Sequence, residues 1–469
     1  MKFNVDFEAV PYVAEKVTPN KDGSVWTFTL RKDSKWSDGS PCSARDFEYS
    51  FKRQLDPATA APYASFLYDI KNGEAFNKKQ ITDAKEVGVR AKDDWTLEVT
   101  LEGPRGYFPV LSAYSAALPG HKGSIEKYGD KWTEAANIVG NGPFVLDVWE
   151  HNKVIILKKN KHFFGAKDIT LEKVTIPIIP IASGVLPYEN NEIDLTRLQT
   201  ADLKRFQSDP KTAKEVFRFP YPGTWYLLPQ VTKPPFDNLK VRQAVAYAIP
   251  YQKIMDAVLF GLSKPMFGAP AGKTTEVAWP QPHAFNTDIE KAKALMAEAG
   301  YADGFSVSMM APNNRYIEDQ RIAQAVAAML AKINIKVDLQ TMPKAQYWQR
   351  FDERAADIMM IGWQSDTQDS ANFYEFLVMT PDTKTGYGQY NAGNYSNPEV
   401  DRLTLETQTM TDPKVRAEIL RKIERILYDD AALVPLHWQH LSWVAAKSVH
   451  IGPVLNVIDM PYLGDLVME

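Results

Sequence analysis

Residues 357–369 read Asp357-Ile-Met-Met-Ile-Gly-Trp363-Gln-Ser-Asp366-Thr-Gln-Asp369. Four consecutive apolar side chains leave no polar face, so the segment predicts a strand covered on both sides, as in a sheet with a layer above and a layer below. The strand ends at Gly362-Trp363 and releases two carboxylates into a polar loop. In open α/β sheets, ligands bind just beyond the carboxyl ends of strands. Asp366 or Asp369 is thus placed to receive a ligand cation, with Trp363 packed beside it. A charge-assisted hydrogen bond in a shielded cleft contributes roughly 1.5–3 kcal/mol. The competing reading has both aspartates cap a helix over residues 372–377. Taken from the residues alone, capping is the stronger of the two.

Upstream, a helix over 322–332 leads into Lys336-Val-Asp-Leu-Gln340, which alternates like a strand. That helix–strand alternation marks the α/β class. Apolar residues at three-and-four spacing predict further helices over 241–257, interrupted by Pro250, over 288–299, closed by Gly300, and over 413–429. Nearer the start, residues 24–33 alternate as a half-buried strand behind a Lys21-Asp22-Gly23 turn, and Ser43-Ala-Arg-Asp46 sets a hydroxyl N-cap three residues ahead of a carboxylate. A helix to about residue 55 follows, then a strand pair at 86–92 and 95–101 and a strand-rich stretch over 154–181. Between 219 and 236, Phe-Pro-Tyr-Pro-Gly and Thr-Lys-Pro-Pro-Phe bracket an extended 224–231. This is read as an interdomain crossover or a surface loop.

A chain of 469 residues exceeds one hydrophobic core, and two or three domains are expected. Lys+Arg 54 against Asp+Glu 58 leaves a net charge of -4, without the basic footprint that nucleic acid requires. Cys42 is the only cysteine, so no intrachain disulfide and no Cys-based zinc or iron–sulfur site can form, and a buried thiol is expected. No apolar run reaches the ~20 residues of a membrane-spanning helix. Nucleotide-binding, nucleophile-elbow and zinc-protease signatures are absent from the sequence. His437 and His440 are three apart in strand-like surroundings, which puts them on opposite faces and argues against a metal pair. No metal and no cofactor are expected.

The stretch Phe28-Thr-Leu-Arg-Lys-Asp-Ser-Lys-Trp-Ser-Asp-Gly-Ser-Pro, followed by Ser43-Ala-Arg-Asp-Phe-Glu-Tyr-Ser-Phe-Lys-Arg and Leu55-Asp-Pro, resembles the family 5 extracellular solute-binding proteins. The likeness continues through Tyr128-Gly-Asp-Lys-Trp-Thr, Asn137-Ile-Val-Gly-Asn-Gly-Pro-Phe and Pro235-Phe-Asp-Asn-Leu-Lys-Val-Arg-Gln-Ala-Val, nearest to the oligopeptide-binding branch. The resemblance implies a two-lobe periplasmic-binding-protein-like α/β fold (type II, cluster C) with an additional α/β domain and a hinge between lobes. Carried onto this chain, residues 1–120 are the additional domain, 121–222 with 436–469 lobe 1, and 223–435 lobe 2. The family's leading segment, with a lobe 1 strand that contacts peptide backbone, is expected to be missing, and 224–231 becomes a hinge candidate.

The implied function is non-catalytic: capture of an extended oligopeptide between closing lobes and delivery to the permease subunits of an ABC importer, by a monomer in the periplasm or outside the cell, free or lipid-anchored. The same resemblance implies Asp366, with Asp369 second, as the anchor for the peptide amino group. Gly362 and Gln364 become backbone partners of the peptide beside Trp363, and Tyr63 a ligand-contacting tyrosine. Tyr347, Trp348, His437 and Trp438 are read as pocket walls or as core. Gln364 stands where the branch can carry a cysteine. The rivals are the same fold around a sugar oligomer, a metal chelate or an opine-like conjugate, a carboxylate-dependent hydrolase, and a signalling or chaperone-like binder.

Overall fold

The computed structural model describes residues 1–4, 8–180, 183–261, 263, 265, 285–364, 370–383, 385–410, 413–451 and 461–469. Two compact units emerge. Unit 1 comprises Met1–Leu198, Glu215–Phe217 and Trp443–Glu469, and unit 2 comprises Gln199–Lys214 and Arg218–Ser442.

In unit 1, β1 (Lys2–Phe3) and β2 (Ala9–Val10) form a short antiparallel pair. Strands β3 (Ala14–Pro19), β4 (Val25–Leu30), β5 (Val89–Asp93) and β6 (Thr96–Thr100) form an antiparallel sheet in the order β3-β4-β6-β5. The alternation in β4 buries Trp26, Phe28 and Leu30 on one face, against Phe51 and Leu55 of the helix Ala44–Leu55. That helix starts where Ser43 and Asp46 predict, with the Ser43 backbone N–H donating to Asp46 Oδ2 at 2.7 Å. Cys42 is fully buried beside it, and burial pushes its thiol up to about 12. A three-stranded meander follows, of β7 (Phe144–Glu150), β8 (Val154–Lys159) and β9 (Lys173–Pro177). Strand β10 (Leu195–Arg197) pairs with Trp443, Val444 and Ala445.

Unit 2 is built on β11 (Val216–Pro229), β12 (Phe305–Pro312), β13 (Ile335–Met342), β14 (Ile358–Gln364) and β15 (Val434–Ala445), in the order β15-β11-β14-β12-β13. β12 runs parallel to both β13 and β14, and the helices Asp319–Leu330 and Lys344–Asp352 lie in the two crossover connections, as the α/β alternation requires. Ile358, Met359, Met360 and Ile361 are buried, which is why this strand is apolar without alternation.

The expected helix over 241–257 divides at Pro250 into Leu239–Ala248 and a turn from Tyr251, while Ile289–Glu298 closes at Gly300, whose φ of +81° suits a residue without a Cβ. The extended segment expected at 224–231 begins earlier, at Val216, and the chain passes from unit 1 to unit 2 within it, after Phe217. Strand β15 makes the return passage after Ser442, and the pair β16 (Val449–His450) and β17 (Val467–Met468) belongs to unit 1.

Candidate functional site

Strand β14 emerges from the unit 2 core at its carboxyl end. Ile358–Ile361 are buried, whereas Gly362, Trp363 and Gln364 are half-buried. On one side the strand stays paired with β11 to its last residue, Trp225 lying opposite Gly362 and Gly223 opposite Gln364. On the other side its pairing with β12 stops at Met359–Met310, although β12 continues to Pro312. The sheet opens there, at the carboxyl ends of two parallel strands.

Side chains finish what the ladder leaves. The Tyr347 hydroxyl donates to the Met360 carbonyl and accepts the Met360 N–H at 3.1 Å. The Tyr316 hydroxyl donates to the Gly362 carbonyl at 3.1 Å, and burial raises it above the ordinary phenol range. Trp363 is fixed by its Nε1–H on Asn372 Oδ1 at 3.1 Å and by the rings of Tyr390 and Phe376, at 5.4 and 5.7 Å between centroids. Asn372 lies in the helical turn Ser370–Phe373, which continues through Tyr374–Val378 and corresponds to the helix expected at 372–377.

Behind Gly362 lies an aromatic and polar layer. Trp225 is fully buried, with Tyr316 edge-on at 4.7 Å and the His437 ring stacked at 6.1 Å. His437 Nδ1 lies 2.8 Å from the Trp438 carbonyl and 3.2 Å from Ser263 Oγ, which fixes the Nδ1–H tautomer, and Nε2 has no partner among the described residues. Gln439 Nε2 donates to the Thr224 carbonyl at 3.4 Å.

Burial holds His437 down to about 4, with the neighbouring His440 adding to the shift and the Trp438 carbonyl opposing it. The unfolded chain binds this proton at about 6.5 and the folded chain does not until about 4. Stability is therefore complete above pH 6.5 and is lost as pH falls from 6.5 toward 4, by up to about 3 kcal/mol. Denaturant midpoints measured across that window should fall in the wild type and fall less in His437→Asn; equal slopes would remove His437 as the titrating group.

The structure brings together Gly362, Trp363 and Gln364, and places His437 in the layer behind them. Tyr347, expected as a pocket wall or core, is fully buried core whose hydroxyl serves the backbone of β14. Trp348 and Trp438 are partly buried and packed against the same core. Tyr63 belongs to unit 1, half exposed in an aromatic cluster with Phe66 and Tyr114. Asp366 and Asp369 lie outside the described residues. His437 and His440 sit in a strand, on opposite faces. Tyr316 and Asn372, which fix the end of β14, were not singled out by sequence. Their only signals were proximity to strand ends and side-chain type.

A model of the bacterial extracellular solute-binding proteins, family 5 Middle, matches residues 8–384. The periplasmic oligopeptide-binding protein OppA of Escherichia coli is 35% identical over 453 residues, covering 93% of this chain and 80% of the relative. The oligopeptide-binding protein OppA of Bacillus subtilis is 31% identical over 481 residues, covering 99% and 85%. Among solved structures, Haemophilus influenzae OppA in complex with RPPGFSPFR superposes with a TM-score of 0.80 at 28% identity, covering 100% of this chain and 92% of that one.

Proposed function

Because this chain belongs to the family 5 bacterial extracellular solute-binding proteins, we propose that it is the oligopeptide-binding component of an ABC importer, which captures an extended peptide and delivers it to membrane permease subunits. The observation that carries the reading is the carboxyl end of β14, where pairing with β12 stops at Met359 while pairing with β11 continues to Gln364, so that the strand runs on past β12 at the end of the sheet where α/β proteins receive ligands. Main-chain pairing of a ligand with a strand end is indifferent to ligand side chains and accounts for broad peptide acceptance.

In this reading Asp366, two residues beyond Gln364, takes the peptide ammonium, with Asp369 second, Trp363 forms a wall, and Tyr63 of unit 1 is a further contact. The divisions 1–120, 121–222 with 436–469, and 223–435 are the additional domain and the two lobes. The strands that run from one unit into the other, β11 and β15, serve as the hinge. A ligand that binds the closed form better shifts the equilibrium toward it, and the closed form is what the permease reads. The protein acts as a monomer in the periplasm or at the cell surface, and binds without chemical turnover.

Calorimetric titration with short peptides, free and N-acetylated, tests the reading. The free peptides should bind. Acetylation, or Asp366→Asn, should each weaken binding by about 10-fold or more, in keeping with a charge-assisted hydrogen bond. A folded protein that gives no heat with any peptide would abolish the peptide reading, and binding that ignores both changes would abolish the role of Asp366.

A further inference from the structure

Two phenols in unit 2 meet across 181 residues of sequence. Tyr247 stands in the helix Leu239–Ala248 and Tyr428 near the end of the helix Pro413–Asp429, and their hydroxyl oxygens lie 3.4 Å apart. One ring holds both: Phe285 is edge-on to Tyr247 at 5.3 Å and stacked on Tyr428 at 4.5 Å between centroids. The segment that carries Phe285 is fixed in turn, through the Asp288 N–H on the Tyr247 carbonyl at 2.8 Å and the Thr287 hydroxyl on the Ile249 carbonyl at 2.6 Å. Both tyrosines are half-buried, so a small solute reaches them. The Lys291 ammonium lies over the Tyr247 ring, 3.9 Å from its centre. Burial raises a phenol, but here Lys291 and the Tyr428 hydroxyl outweigh it, against Asp288, and hold Tyr247 below its ordinary value. Tyr428 is pushed up to about 12 by burial and by Tyr247 and Asp429, with Arg425 opposing. Tyr247 is therefore the member that gives up its proton, and Tyr428 the one that keeps its own and donates to the phenolate.

We propose that Tyr247 and Tyr428 form an oxidative modification site, at which hydrogen peroxide acting through a one-electron oxidant joins the two rings as dityrosine. Each phenol loses one electron and one proton, and the two phenoxyl radicals join their ortho carbons in one C–C bond. The hydrogens on those carbons pass through solvent to the two oxygens. Hydrogen peroxide takes up the two electrons and two protons, so two phenols and one peroxide give one biphenol and two waters. The coupling carbons are the neighbours of the carbons that bear the facing hydroxyls, so the helices need not part. The link closes a loop of 181 residues in the unfolded chain and thereby stabilises unit 2. Tyr12 and Tyr462 of unit 1 supply the contrast. Their hydroxyls also touch, but burial pushes both phenols up, Tyr462 to about 12 and Tyr12 further, so both keep their protons at neutral pH.

The test treats the full chain, dilute and folded, with hydrogen peroxide and a catalytic amount of haem peroxidase, and reads dityrosine fluorescence and the tryptic map of the monomeric fraction by mass spectrometry. The expected result is fluorescence together with a cross-linked peptide that joins Tyr247 to Tyr428 and is two hydrogens lighter than its parts. Tyr247→Phe and Tyr428→Phe, which keep both rings against Phe285, should each lose that peptide and most of the fluorescence. A monomeric fraction linked instead at Tyr12 and Tyr462, at any other pair, or not at all, would overturn the proposal, as would fluorescence that both variants retain. Should either variant fail to fold, the wild-type map alone decides. Peptide binding plays no part in the readout, so the result stands apart from the reading above.

Discussion

Arg242→Ala is expected to lower the unfolding free energy by about 3–4 kcal/mol, one of the two largest single-residue effects anticipated for this chain. The guanidinium is buried in unit 2 and donates to four backbone carbonyls: Phe236 at 2.8 Å, Asp237 at 3.2 Å, Asp430 at 2.7 Å and Ala431 at 3.3 Å. Two of these belong to the loop before the helix Leu239–Ala248, and two follow the helix Pro413–Asp429, where the last carbonyls of a helix have no partner of their own. Burial lowers the Arg242 pKa, opposed by the charge of Asp430, yet the side chain remains a cation with its donors committed. Alanine would leave the carbonyls without donors in a space water enters poorly, and the cost is that of unsatisfied buried groups rather than of a lost surface charge. Arg242→Lys should recover less than half, since one ammonium cannot reach groups on two segments with the planar fork that arginine supplies. Guanidinium denaturation followed by circular dichroism measures both, and a loss below about 1 kcal/mol for alanine would show that the loop and helix end find other donors.

The same residue shows what a sequence carries and what it withholds. Pro235-Phe-Asp-Asn-Leu-Lys-Val-Arg-Gln-Ala-Val was readable as a family stretch, and the interruption at Pro250 was readable as local chemistry, whereas the Asn238 cap emerged only from the structure. The partners of Arg242 at 430 and 431 were not, because they lie 188 and 189 residues away and no local pattern reports a contact at that distance. The helix–strand alternation over 322–340 and the unbroken apolar run of Ile358–Ile361 were legible for the opposite reason. Periodicity and two-sided burial leave their mark within a dozen residues.

The site divides along the same line. Gly362-Trp363 was visible as the end of a buried strand, and the rule that ligands sit beyond carboxyl ends pointed to it without any partner being known. Tyr347 was ambiguous between pocket wall and core, since a tyrosine on an amphipathic helix serves either; its hydroxyl on Met360 decides for core. Tyr316 lay in a polar loop, Asn313-Asn-Arg-Tyr316, with no signal beyond its position after β12. Its role depends on where β12 and β14 part, which is a property of register and not of composition.

Gly362→Ala should weaken peptide binding and destabilise unit 2 by about 2–3 kcal/mol, although glycine-to-alanine changes often stabilise a chain by limiting its unfolded freedom. The added methyl would lie 2.5 Å from Tyr316 Cε1, 3.0 Å from Gln439 Nε2 and 3.0 Å from the Thr224 carbonyl oxygen. Gln439 is a side chain with some freedom to turn aside, but the Thr224 oxygen belongs to the part of β11, from Gly223 to Pro229, that is paired with β14, and it cannot retreat without opening that ladder. The Tyr316 ring must therefore yield, and with it the hydroxyl on the Gly362 carbonyl, so stability and the end of β14 are disturbed together. A double-mutant cycle with Tyr316→Ala separates the two contributions. Removing the ring should make the second substitution cost less than the sum of the singles, by at least about 1 kcal/mol, with the remainder assigned to the Thr224 carbonyl. Strict additivity would mean that the ring is not what the methyl strikes, and the account of Gly362 as a position that must carry no side chain would then rest on β11 alone.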